Sequence, residues 1–195
     1  MFLKLLSRPL MPNVRRLPVC HEVMSTDFIA LFDASADAVS PEWLLARVAA
    51  DSEFGAGIIE RYRDLWRPTD WVIETSHASG ESELLGPGGF AIQVKPGTVE
   101  LYHMMPFSTF AGEPEWRDAL RRSCKVMADI IGSTRAIYTH ELMPYKGAGL
   151  NKIERGLLAV IGPPAASFGE LREAKYYGPR AWYIDTFADL RRLSG

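Results

Sequence analysis

The sequence predicts an α/β layer fold, a mixed and largely antiparallel twisted sheet with helices on both faces. Three observations predict it. Two stretches carry apolar residues at helical spacing ahead of three strand-like segments, a tight turn joins the last two of those segments, and two long amphipathic helices then alternate with further strands. Crossover helices of this kind must pack on the faces of the sheet they connect.

The elements follow in order. Residues 1–24 contain Pro9, Pro12 and Pro18 with the pair Arg15-Arg16, and read as an N-terminal arm ending in a short strand, Leu17–Val23. The first dozen residues are expected to be loosely held or held by a partner. Residues 25–195 read as one domain, because no repeat, low-complexity stretch or linker divides them. Ser40 is a natural N-cap before Pro41 and Glu42, and Trp43, Leu44, Arg47 and Val48 begin a helical face. A second helical run spans Ala56–Trp66 and is ended by Pro68.

Strands are predicted over Trp71–Thr75, Gly89–Val94 and Thr98–Met105. Lys95-Pro96-Gly97-Thr98 makes the last two a hairpin, since Pro pre-sets the first turn dihedral and Gly accepts positive φ. The polar stretch Ser79–Glu83 and the cluster Gly86–Gly89 read as a loop between the first two strands. Glu113-Pro114-Glu115 opens the clearest helix, with Trp116, Leu120, Cys124, Met127 and Ile131 along one stripe and Gly132 as its stop. Arg135–Leu142 is a strand. Asn151–Ile161 is a second clear helix with a capping-box pattern, Asn151 and Glu154, ended by Gly162-Pro163-Pro164. A last strand is expected at Ala181–Phe187.

Composition limits the function. The chain has 195 residues, 22 Lys and Arg against 24 Asp and Glu, and a formal charge of −2. There is no overall basic field to gather nucleic acid or an anionic membrane. The apolar start is broken by Lys4 and stopped by Arg8-Pro9, too short for a signal peptide core or a membrane span, so a cytoplasmic protein is expected. The two cysteines, Cys20 and Cys124, read as reduced core thiols. No His, Cys or carboxylate spacing suits a metal; His77 with Glu81 and Glu83, and Cys20-His21-Glu22, are the nearest clusters. No Gly-x-Ser-x-Gly nucleophile motif is present.

The order of elements over Ser40–Phe187 resembles the GNAT-type N-acetyltransferase superfamily. The resemblance implies that the strand before the first tail helix splays from its neighbour, and that a Gly-rich loop at the helix start cradles the pyrophosphate of acetyl-CoA or another acyl-CoA. At that place this chain reads Pro106–Glu115, with one Gly, a proline and two acids that oppose a pyrophosphate. A later stretch, Pro144–Asn151, lies closer to the pattern, and Lys146, Gly147, Gly149 and Lys152 are its candidate anion-binding residues. Gly147 and Gly149 also suit a plain turn before a helix cap.

An acyltransferase needs a base for the amine and an acid for the leaving thiolate. Glu100 or His103 is the candidate base and Tyr138 the candidate acid, with Tyr102, His140 and Glu141 nearby on the same two strands. Strand alternation sets Glu100 and Tyr102 on one face and His103 on the other, and His103 and His140 converge if their strands are neighbours. Hydrogen-bonded sheet polars are the plainer reading of all of these.

A looser similarity, to the acetyltransferase-like internal virion proteins of short-tailed phages, implies the other class: a non-catalytic structural or interaction protein inside a phage particle. The aromatic C-terminal region, Tyr176, Tyr177, Trp182, Tyr183 and Phe187, reads as core and sheet edge, and with the loop Lys175–Arg180 and the N-terminal arm it is equally the candidate contact for a protein partner or a second copy. The basic helix residues Arg117, Arg121, Arg122 and Lys125 read as a solvated face or as a contact for a phosphate or an acidic partner.

Overall fold

The computed structural model describes residues 27–34, 39–63, 68–75, 82–140, 149–175 and 178–190. In chain order the elements are β1 (Asp27–Asp33), α1 (Pro41–Ala50), α2 (Ile58–Tyr62), β2 (Val72–Thr75), β3 (Ser82–Leu85), a 3-10 turn (Pro87–Gly89), β4 (Phe90–Lys95), β5 (Thr98–Pro106), α3 (Phe107–Gly112), α4 (Pro114–Ile131), β6 (Ala136–His140), α5 (Leu150–Val160), α6 (Phe168–Glu173) and β7 (Tyr183–Asp185). The strands form one sheet in the order β2-β3-β4-β5-β1-β6-β7, and every neighbouring pair is antiparallel. The α/β class and the helices on both faces are as the sequence predicts.

The centre of the sheet is not as predicted. β1 lies between β5 and β6, with Phe28 opposite both His103 and His140 and Leu31 opposite both Glu100 and Ile137. Phe28, Ile29, Ala30, Leu31 and Phe32 are all buried. A strand covered on both faces is apolar throughout and shows no alternation, so a search for period-two patterns passes over it. The expected strand at Leu17–Val23 and the arm that holds it lie outside the described residues.

Each face of the sheet has its own core. Phe28, Ala30 and Phe32 join Leu101, Tyr138 and Phe90 against α1, α2, α3, α4 and α6. On the other face Ile29, Leu31 and Ile137 pack against Leu150, Ile153 and Leu157 of α5 and against Trp182.

α1 starts as predicted, with the Ser40 hydroxyl accepting from the Trp43 N–H at 3.2 Å. α4 has Pro114 in its first turn and Gly132 at its C-terminal cap with φ 75°, and Leu120, Cys124 and Met127 of its stripe are buried.

Four short elements depart from the sequence reading. β3 falls in the stretch read as loop, where only Leu84 is buried and pairing with β4 supplies what propensity does not. α3 lies where a phosphate loop was sought; Phe107, Phe110 and Ala111 sit at helical spacing and are buried. α6 follows the Gly162–Pro164 stop, with Ser167 as its N-cap. α2 is shorter than the run Ala56–Trp66, of which residues 64–66 lie outside the described set.

The start of α5 is a further correction. Its N-cap is Gly149, and Asn151 does not cap: Asn151 and Glu154 instead accept from Arg135, each at 2.7 Å. The cap comes from the far end of β1, where the Asp33 carboxylate accepts from the Leu150 N–H at 2.7 Å. A tertiary carboxylate has replaced the local one at the positive end of the helix.

Leu31→Ala is expected to lower the unfolding free energy by about 3 kcal/mol, against less than about 1 kcal/mol for Val72→Ala on the exposed edge. Urea denaturation of the two variants checks the difference.

Candidate functional site

β5 and β6 both run antiparallel to β1, so their carboxyl ends lie on the same edge of the sheet. Ligands in layered α/β folds commonly bind at such strand ends. β5 leaves the sheet there through an irregularity: the register with β1 jumps between Phe28, opposite His103, and Asp27, opposite Pro106. The bulge aims α3 across the edge.

His103 holds this bulge together. Its Nδ1 accepts from the Met105 N–H at 2.9 Å, which assigns the ring proton to Nε2, and Nε2–H donates to the Gly88 carbonyl at 2.9 Å. Tyr62 and Phe90 meet the ring edge-on at 5.2 and 4.6 Å. Burial drives its pKa down to about 4 despite the favourable Gly88 contact. The Gly88–Gly89 backbone can approach only because both residues lack Cβ. At φ 70° and 82° they press on Ile59 and Met104, and a Cβ at Gly89 would meet the Met104 side chain at 2.5 Å. His103 is therefore a neutral strut with both ring nitrogens engaged by backbone.

Tyr138 is equally committed. It is fully buried, and its hydroxyl donates to Asp185 Oδ2 at 3.0 Å. Asp185 in turn takes two hydrogen bonds from Arg121, at 2.7 and 3.2 Å, and one from the Phe187 N–H at 2.8 Å. Arg121 also grips Asp189 through both terminal nitrogens, at 2.8 and 2.7 Å. Desolvation, with Cys124 and Asp185 adding to it, raises the Tyr138 pKa well above 10. The Cys124 thiol beside it is also pushed up by burial. This buried cluster ties α4 to the sheet and offers no proton at ordinary pH.

Arg121 was read from sequence as part of a basic helix face. It is only 5 % exposed, whereas Arg122 on the same helix is exposed. Its position three residues before Cys124, at the margin of the apolar stripe, was the available signal, together with a lone acid, Asp185, inside the apolar strand Trp182–Phe187. Of the described aromatics at the C-terminal end, Trp182 is buried and donates to the Gly162 carbonyl at 3.0 Å, Phe187 is buried, and Tyr183 is half-buried. Tyr176 and Tyr177 lie outside the described residues.

Glu100 faces the other way. It is 2 % exposed, takes a hydrogen bond from Lys95 Nζ at 2.7 Å and another from the Tyr102 hydroxyl, and shares its row of the sheet with Leu31 and Ile137. The sheet itself separates it from His103 and Tyr138. His103 and His140 share one row but do not converge, because Phe28 of β1 stands between them. Of the candidate anion loop, Gly149 donates its N–H to Thr98 Oγ1 at 3.0 Å, Leu150 donates to Asp33, and Lys152 is exposed on α5. Lys146 and Gly147, like Glu141, Cys20 and His77, lie outside the described residues. No group of three or more His, Cys, Asp or Glu that could hold a metal ion occurs among the described residues.

A pocket of about 250 Å³ opens at the strand ends. Phe107, Ala111, Leu171, Ala174 and Ala181 form its apolar wall, contributed by α3, α6 and the approach to β7. Among the described residues, three polar side chains line it: His140 from the end of β6, Ser108 from α3 and Arg172 from α6. His140 is buried, with its ring 5.9 Å from that of Phe107, and desolvation lowers its pKa to about 4. An apolar cleft with a few convergent polar groups and a perturbed histidine is what a small-molecule site requires. Sequence reasoning placed His140 near the site and missed Ser108 and Arg172, because α3 and α6 were not foreseen.

Comparison with protein-family models, with curated proteins and with solved structures finds no match to this chain.

Two outcomes follow from the buried groups. His103 has a folded pKa near 4 against an ordinary 6.5, so between these values the unfolded chain binds the proton that the folded chain refuses. Its contribution is complete above pH 6.5 and lost as the pH falls toward 4, by about 3 kcal/mol. Unfolding free energies measured from pH 7 to 4.5 check this, and His103→Gln is expected to fall less steeply. Asp185→Ala leaves Arg121 with Asp189 alone and the buried Tyr138 hydroxyl without its acceptor, and is expected to cost about 3 kcal/mol in the same assay.

Proposed function

We propose that this chain acts by binding and not by acyl transfer, the second of the two classes that the sequence suggests. The observation that carries the reading is the place of β1. The GNAT resemblance implies that the strand before the first tail helix parts from its neighbour. Here Phe28–Phe32 pair with β5 on one side and β6 on the other, so the backbone groups along both seams are already engaged.

The charges support the same conclusion. α4 opens with Glu113, Pro114 and Glu115, which set two acids and a missing N–H where a pyrophosphate would have to sit. The N–H groups of Gly149 and Leu150 at α5 already have Thr98 and Asp33 as acceptors. Glu100, His103 and Tyr138 each hold internal partners and are split between two faces of the sheet. In this reading the chain is a non-catalytic binding protein, comparable in role to the internal virion proteins that its element order resembles.

Isothermal titration with acetyl-CoA and with free CoA tests the reading. No saturable heat is expected up to about 1 mM ligand. Micromolar binding of either, with acyl transfer to any amine, overturns it.

A further inference from the structure

We propose that the pocket at the carboxyl ends of β5 and β6 binds a small monocarboxylate with a short apolar body, its carboxylate held by Arg172. The proposal deepens the binding reading, since it names the class of ligand that is bound.

The charge of the pocket selects an anion. Among the described residues that line it, Arg172 is the one charged side chain. Glu173, its sequence neighbour, approaches the guanidinium only at 3.9 Å and is itself exposed, so the planar fork remains open to a bidentate partner. The count of charges selects a monoanion. His140 is held neutral by desolvation and adds no second positive charge near pH 7, so among the described residues a phosphate dianion would meet a single cation. The Ser108 hydroxyl supplies a hydrogen bond without adding charge.

The remaining wall selects the body of the ligand. Phe107, Leu171 and the alanines at 111, 174 and 181 offer apolar surface opposite the polar groups. At about 250 Å³ the pocket lies below the range of sites for drug-sized ligands and suits a short-chain or monocyclic acid.

Butyrate and benzoate are the probes, followed by calorimetry and by amide chemical shifts of the full chain, with butyramide, inorganic phosphate and acetyl-CoA alongside. Saturable binding of at least one carboxylate below about 1 mM is expected, with shifts at Ser108, Arg172 and Ala174, and none with butyramide. Arg172→Gln, at an exposed position, is expected to keep the melting temperature and weaken binding at least about tenfold. Ala174→Phe is expected to abolish it by filling the mouth of the pocket. The proposal is overturned if neither carboxylate saturates by about 10 mM, if Arg172→Gln leaves the affinity unchanged, or if phosphate binds more tightly than both acids. Acetyl-CoA binding with acyl transfer to an amine that survives Arg172→Gln overturns the binding reading without touching this site, whereas loss of carboxylate binding alone overturns the site and leaves that reading standing.

Discussion

Two hydrophobic cores rest on one strand. β1 sends Phe28, Ala30 and Phe32 into one face and Ile29 and Leu31 into the other, and its backbone joins β5 to β6 in the sheet. Full burial of a Leu, Ile or Phe is worth about 1.5–3 kcal/mol, and β1 buries four such side chains with no exposed face. The acids at its ends extend its reach. Asp33 caps the helix that closes the second face, and by doing so it fixes where α5 begins and how Leu150, Ile153 and Leu157 meet Ile29 and Leu31.

The edge of the sheet is fixed by charge. β7 is three residues long and contributes little by pairing alone. Arg121 reaches it from α4, and the bidentate bond to Asp185 leaves each buried charge with a partner. Phe168 of α6 lies beneath two guanidiniums, those of Arg117 at 4.7 Å and Arg121 at 5.2 Å. The chain of contacts runs from β7 through α4 to α6, and so it sets the position of Leu171 and Arg172 at the pocket. A buried ion pair of this sort adds little net stability beside an apolar replacement, but it orients what surrounds it.

Long amphipathic elements were legible in the sequence because one side of each meets solvent. The stripe of α4, the Ser40 cap of α1 and the turn at Lys95–Thr98 all announce themselves through local chemistry. What was not legible is what tertiary context decides. β1 hides in a uniform apolar run, β3 exists through its pairing partner, and α5 takes its cap from Asp33 in place of Asn151. The site divides in the same way. His103, Tyr138 and Glu100 were visible as polar residues on strands, but their partners Gly88, Asp185 and Lys95 decide that they brace the fold. Ser108 and Arg172 stand on helices of six residues each, too short for periodicity to reveal.

The position of β1 also orders events during synthesis. A ribosome makes β1 before either strand that it pairs with, and Ile137 follows Leu31 by about a hundred residues, which at typical elongation rates is a wait of roughly 5–20 s. Until β5 is made, Phe28–Phe32 is an apolar nascent segment with nothing to pair with, and until β6 follows it has one open side, of the kind that chaperones bind and that neighbouring chains join. Asp27 and Asp33 flank it as charged gatekeepers. The same carboxylate that later caps a helix thus guards the strand while its partners are still being translated.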